Sequence, residues 1–173
     1  MLGVVPMSDS MFKLIPVERG IVPPAAKHEA AIRTLEKLAP EGEDVKVEVH
    51  SHLEFIDQGE NLEAILCPSC GKRLELNHFS ELDPIYEWWD QANIEADVHR
   101  GEDIFELNPD AICEMPCCHA RVKFIDLEFD WPGGFSKFEL SVSNRNLETL
   151  TRQQIEELEQ VLDCQLKLIR AYY

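Results

Sequence analysis

The sequence predicts an α+β chain in which two β-α-β units, one near each end, enclose a cysteine-bearing insertion. Three observations carry this expectation. Strand-like alternation flanks helix-like periodicity near both ends, in the same order each time. The cysteine motifs and most of the acidic charge fall between those units, in roughly residues 60–132. Finally, 173 residues with 45% hydrophobic and 28% charged side chains suffice for one domain with its own core and are too apolar for a disordered chain.

The first unit spans about residues 12–56. Phe12 to Val17 reads as a strand, and Pro23-Pro24 then opens a helix in which Ile32, Leu35 and Leu38 recur every three residues before Pro40 ends it. From Val45 to Phe55 the chain alternates without a break. Val45, Val47, Val49, Leu53 and Phe55 are expected on one face, with Glu48, His50, His52 and Glu54 on a solvated one. The second unit, about 135–173, repeats the plan. Phe138 to Ser143 alternates, and Thr151 with Gln154 makes a capping-box pattern for a helix burying Ile155, Leu158 and Leu162. Leu166 to Tyr172 closes as a strand, and Arg19 and Arg145 stand at equal offsets from Phe12 and Phe138. Two such units suggest a ferredoxin-like sandwich, with helices on one face of an antiparallel sheet.

The middle segment breaks that rhythm with an amphipathic helix expected from about Glu81 to Ala96. It carries Ile85, Trp88, Trp89 and Ala92, with Pro84 in its first turn and one of the two tryptophans turned inward. The chain has a net charge of −17, and its distribution is uneven. Between His52 and His119 sixteen Asp and Glu face three basic residues, Lys72, Arg73 and Arg100. Such a surface repels nucleic acid and anionic lipid and favours a basic protein partner, with Glu81, Asp83, Glu87 and Asp90 on the central helix as the expected contacts. No apolar run approaches a membrane span, and Met1 to Asp9 lacks the basic start of a secretory signal. The expected compartment is the cytoplasm, where six cysteines point to metal binding or buried thiols before disulfides.

Cys67-Pro-Ser-Cys70-Gly71 reads as a zinc knuckle. Two intervening residues let both thiolates meet one tetrahedral ion, and Gly71 supplies the tight turn that aims backbone amides at sulfur. A redox Cys-x-x-Cys would open a helix, whereas here Lys72-Arg73 leads straight into Leu74-Glu75-Leu76, the returning arm of a ribbon. The second half of the site comes from Met115-Pro-Cys117-Cys118-His119, whose spacing is unusual. Cys113 with Cys118, or Cys118 with His119, are alternative pairs on spacing alone, and Cys113 and His119 stand as reserve ligands. Cys164 reads as a core residue.

Cys67-Pro-Ser-Cys-Gly71, then Pro116-Cys-Cys118, then Phe129-Asp-Trp-Pro-Gly-Gly-Phe135, resembles a group of bacterial proteins of unassigned function. In those proteins a CPxCG knuckle precedes a PCCG turn and a DWPxGF segment. The resemblance spans most of the chain and implies Cys67, Cys70, Cys117 and Cys118 as the ligand set, with His119 standing where the pattern has Gly. It implies no reaction.

Three arrangements bear on catalysis. A catalytic zinc keeps an open position, but the deaminase order of His-x-Glu before Pro-Cys-x-x-Cys is not matched, so a closed structural Zn2+ site is expected. The stripe Glu48, His50, His52, Glu54 is the alternative, a metal-dependent hydrolase site. The Trp131–Phe135 loop offers aromatics beside glycines and is expected to pack. The reading is a zinc-stabilised acidic interaction protein and not an enzyme. One concrete form is an immunity or inhibitor protein that masks a basic toxin.

Overall fold

The computed structural model describes residues 10–76, 87–88, 91–92, 97–99, 105–143 and 149–173. Glu81, Asp83, Pro84, Ile85, Trp89, Asp90, Arg100 and Arg145 lie outside the described residues. In chain order the main elements are β1 (Ser10–Pro16), α1 (Ala25–Leu38), β2 (Glu43–Ile56), the short strands β3 (Ala64–Leu66) and β4 (Arg73–Glu75), and β5 (Asp97–His99) and β6 (Phe105–Leu107). They continue as β7 (Ile112–Glu114), β8 (Arg121–Lys123), β9 (Glu128–Phe129), β10 (Gly134–Ser143), α2 (Arg152–Leu162) and β11 (Leu166–Tyr172). The protein is of mixed α+β class with antiparallel sheets.

The main sheet has the order β11-β1-β10-β2. The two end segments therefore interleave: β10 lies between β1 and β2, and β1 lies between β10 and β11. Neither can form its sheet without the other. Helix boundaries follow local chemistry. The fixed φ of Pro24 precedes the first residue of α1. In α2 the Thr151 hydroxyl accepts from the Gln154 amide at 3.3 Å while the Gln154 side chain accepts from the Thr151 amide at 2.8 Å, closing the capping box.

Two cores result. Phe12 and Leu14 of β1 and Phe138, Leu140 and Val142 of β10 pack against Leu35 of α1 and Leu158 and Leu162 of α2. A second core gathers Ile65, Cys67, Leu74, Met115, Phe124 and Phe135 under the short hairpins, with Trp88 packed against it. Trp88 thus turns inward, and its Nε1 donates to the Glu114 carbonyl at 2.8 Å.

The long strand β2 departs from expectation. Its apolar residues do not share one face: Val45 and Val47 join the helix-side core, Leu53 and Phe55 join the second core, and Val49 is 53% exposed. The cause is an irregularity in the pairing, where Ser136 and Phe138 of β10 face Glu54 and Val49 of β2. The additional residues on β2 bulge and re-aim the strand. His50 and His52 consequently sit half-buried, not on a solvated stripe. The sheet face opposite the helices is likewise closed, since Lys13, Glu139 and Ser141 are all buried there. The Lys13 ammonium donates to the Tyr173 hydroxyl at 2.7 Å and pairs with Asp57 at 3.5 Å, and that hydroxyl donates to Asp57 at 2.9 Å. This ties the last residue of the chain to β1 and to the end of β2. Gly59 completes the junction with a φ of +59°, and a Cβ there would lie 2.2 Å from the Tyr172 carbonyl oxygen.

Candidate metal centre

Each pair of cysteines sits at the tip of a two-stranded hairpin. In the first, β3 and β4 are joined by Cys67 to Lys72. The Cys67 amide donates to the Lys72 carbonyl at 2.9 Å, and the Gly71 amide donates to the Cys67 carbonyl at 2.8 Å. Gly71 has a φ of +71°, and a Cβ there would meet no atom within 4 Å, so backbone conformation alone favours glycine.

The second hairpin, β7 with β8, repeats this turn bond for bond. The Met115 amide donates to the Ala120 carbonyl at 2.9 Å, the His119 amide donates to the Met115 carbonyl at 2.9 Å, and His119 has a φ of +59°. Every equivalent position lies 48 residues further along: Cys70 and Cys118, Gly71 and His119, Arg73 and Arg121. The repeat explains the odd spacing. Met115 occupies the place of Cys67 and is fully buried in the second core, so the turn's first ligand position is lost to packing. Cys117, at the place of Ser69, supplies the missing sulfur instead. The adjacent cysteines need no distorted backbone, because they use two different positions of an ordinary knuckle.

Together the turns bring Cys67, Cys70, Cys117 and Cys118 so close that all four sulfurs lie within 4.8 Å of one another. Cys67 and Cys118 sulfurs are 3.7 Å apart, and those of Cys70 and Cys117 are 3.5 Å apart. A tetrahedron of thiolates with metal–sulfur bonds of about 2.3 Å has edges of about 3.8 Å, so these spacings fit a single ion. Burial pushes the Cys67 thiol up, but the Cys70 and Ser69 amides and the neighbouring thiols outweigh it and bring it down to about 7. The Cys117 thiol is pushed up to about 12 by burial and by its Cys70, Cys67 and Cys118 neighbours. Four sulfurs at this distance cannot all ionise unless a cation sits among them. The four cysteines can therefore hold a metal ion, and the all-thiolate set leaves no protein position for a catalytic water while all four remain bound.

The reserve ligands stay outside. Cys113 is buried within the second core, and the exposed His119 ring contacts the Glu114 carboxylate through Nδ1 at 2.8 Å. Cys164 lies half-buried at the edge of the helix-side core. Among the described residues the four cysteines are the one group of three or more His, Cys, Asp or Glu whose ligand atoms converge. His50 Nδ1 instead meets Glu54 at 3.0 Å, with His52 Nε2 at 3.7 Å from the same carboxylate. Of the expected partner-binding acids, Glu87 is exposed on a helical stretch.

One contributor to the centre was not apparent in the sequence. Asp130, in the Asp-Trp-Pro-Gly-Gly segment, accepts from the Ala64 amide at 3.0 Å and from the Trp131 amide at 2.9 Å, and it pairs with Arg73 Nη2 at 2.9 Å. It thereby clamps both strands of the first knuckle to the chain entering β10. Trp131 lies under the Arg170 guanidinium, 5.8 Å from the ring centre, and Phe135 is buried in the second core. The loop packs, as expected of it. Compared with known protein families, with curated proteins and with solved structures, the chain matches none.

Proposed function

We propose that Cys67, Cys70, Cys117 and Cys118 bind one structural zinc ion, and that the protein acts by binding a basic macromolecular partner and not by catalysis. The observation that carries the metal reading is the pair of matched knuckles, which places four thiols at the separation a tetrahedral ion requires. The order β11-β1-β10-β2, with a helix following β1 and another following β10, supports a ferredoxin-like sheet, and we read the hairpins between β2 and β10 as an inserted zinc ribbon. None of the six cysteines is paired in a disulfide, which fits a reducing cytoplasm. The partner reading rests on charge: sixteen acidic side chains against three basic ones between His52 and His119. An inhibitor or immunity protein masking a cationic toxin is one form it takes.

Two measurements test it. Elemental analysis of protein purified without added metal should return about one zinc per chain, and a fully folded, metal-free protein refutes the zinc. Association with a partner recovered by pull-down should be fast at low salt and slow steeply above about 0.15 M, where screening shortens to about 8 Å. An acidic or neutral partner, or a rate indifferent to salt, removes the electrostatic argument.

A further inference from the structure

A cleft of about 610 Å³ opens where the end of the main sheet meets the cysteine-bearing hairpins. Its volume falls within the roughly 300–1,000 Å³ typical of small-molecule sites. Ile15 and Phe135 belong to the main sheet, Leu66 and Pro68 to the first knuckle, and Ile125 and Phe129 complete its apolar lining. Polar and apolar groups share the lining, and two cations, Lys167 and Arg19, stand in it with two acids, Asp126 and Glu128. Lys167 of β11 is half-buried and donates to the Gly133 carbonyl, and among the described residues its ammonium has no carboxylate partner within ion-pair distance. A half-buried, unpaired ammonium is costly unless something compensates it. Burial, and then the nearby Arg19 guanidinium, hold its pKa below the ordinary lysine value, a penalty that a bound anion would reverse. Arg19 pairs with Asp126 at 3.6 Å and Glu128 is exposed within the same lining, so among the described residues Lys167 is the cation of the cleft that no carboxylate pairs.

We propose that this cleft binds a small organic anion, an apolar or aromatic body carrying one carboxylate or phosphate, with Lys167 receiving the anionic group and Arg19 available at the rim. The placement is informative in a chain whose net charge is −17. It leaves one unneutralised cation inside the one described cleft that joins the sheet to the knuckle. The site requires neither the macromolecular partner nor any reaction at the metal. Gly134 sets the room available, since a Cβ there would stand 3.5 Å from Lys167 Nζ and 3.8 Å from Ile15 Cδ1, in ordinary contact and inside the cleft.

The test is a titration of the full-length, metal-replete protein with benzoate and with phenyl phosphate, followed by the methyl resonances of Ile15 and Ile125. Neutral benzyl alcohol and inorganic phosphate serve as the comparison arms. Saturable shifts are expected with one or both aromatic anions, and whichever binds more tightly identifies the anionic group. Lys167→Met, which keeps the aliphatic stem, should weaken that binding about tenfold or more, the equivalent of one charge-assisted hydrogen bond. Gly134→Leu should abolish it by filling the cleft, with unchanged melting temperature and metal content showing that the fold survives. The proposal is overturned by no saturable shift, by equal binding of benzyl alcohol, by equal binding of inorganic phosphate, or by folded variants that bind like the wild type.

Discussion

Replacing Asp130 by Ala tests whether the knuckle is held in place by the loop that follows it. The side chain is only 10% exposed and satisfies two backbone amides, one of them on Ala64, which is fully buried. Removing the acceptor leaves a buried N–H unpaired, at about 1–3 kcal/mol, and the second amide adds to this where water cannot reach it. The Arg73 pair contributes less, because that guanidinium is 42% exposed and solvent screens it. The expected loss is about 2–4 kcal/mol, read as a fall in melting temperature of roughly 5–15 °C for a chain of this size. Asp130→Asn retains the acceptor oxygen and should lose about half as much. The pH dependence has a definite sign. Burial by itself raises the Asp130 pKa, but the two amides and Arg73 outweigh it and hold it below the ordinary carboxylate range. Its contribution is therefore fully present above about pH 4, the unfolded value, and disappears only as pH falls through the lower folded value. Between pH 5 and 8 the gap between wild type and Asp130→Asn should stay constant. Thermal denaturation followed by circular dichroism at several pH values decides it. A loss under about 0.5 kcal/mol for the Ala variant, or a gap that varies across that window, refutes the clamp.

Four other outcomes are expected. Cys70→Ser should lose the metal and much of its folded yield, whereas Cys164→Ser should keep the metal and cost about 1 kcal/mol; equal effects on thermal stability contradict the ligand assignment. Cys117→Ser should abolish stoichiometric metal while Cys113→Ser retains it, measured by elemental analysis, because only the first sulfur lies in the cluster. His119→Gly should keep full metal content and raise stability by about 1 kcal/mol in chemical denaturation, since it relieves a left-handed residue; loss of metal would make His119 a ligand. Replacing His50 and His52 together by Gln should leave metal content unchanged, and loss of a hydrolytic activity in that variant would overturn the non-enzyme reading.

Much of the helix and strand content was legible in the sequence because it rests on local chemistry. The Pro24 start of α1, the Thr151–Gln154 box of α2 and the alternation of β10 each depend on residues a few positions apart. The knuckle at Cys67 and Cys70 was legible for the same reason. The second knuckle was legible too, through a signal easily overlooked. Pro68, Cys70, Arg73 and Leu74 recur as Pro116, Cys118, Arg121 and Val122 at a constant offset of 48, so the turn could be aligned even though its ligands had shifted.

The course of β2 was not legible. An unbroken alternation from Val45 to Phe55 describes a regular strand, yet pairing with β10 inserts a bulge that divides the same apolar residues between two cores. Nor did sequence distance indicate that Asp130 reaches Ala64 and Arg73, or that Lys167, Leu66 and Pro68 come to line one cleft. By itself the sequence determined the two helices and the long strands of the end segments, the first cysteine turn and the charge, because period, capping and turn chemistry act over a few residues. Only the tertiary structure decided which four of six sulfurs converge, where the long strand bends and what lines the cleft. Those depend on contacts between residues far apart in the chain, made by packing two cores against one interleaved sheet.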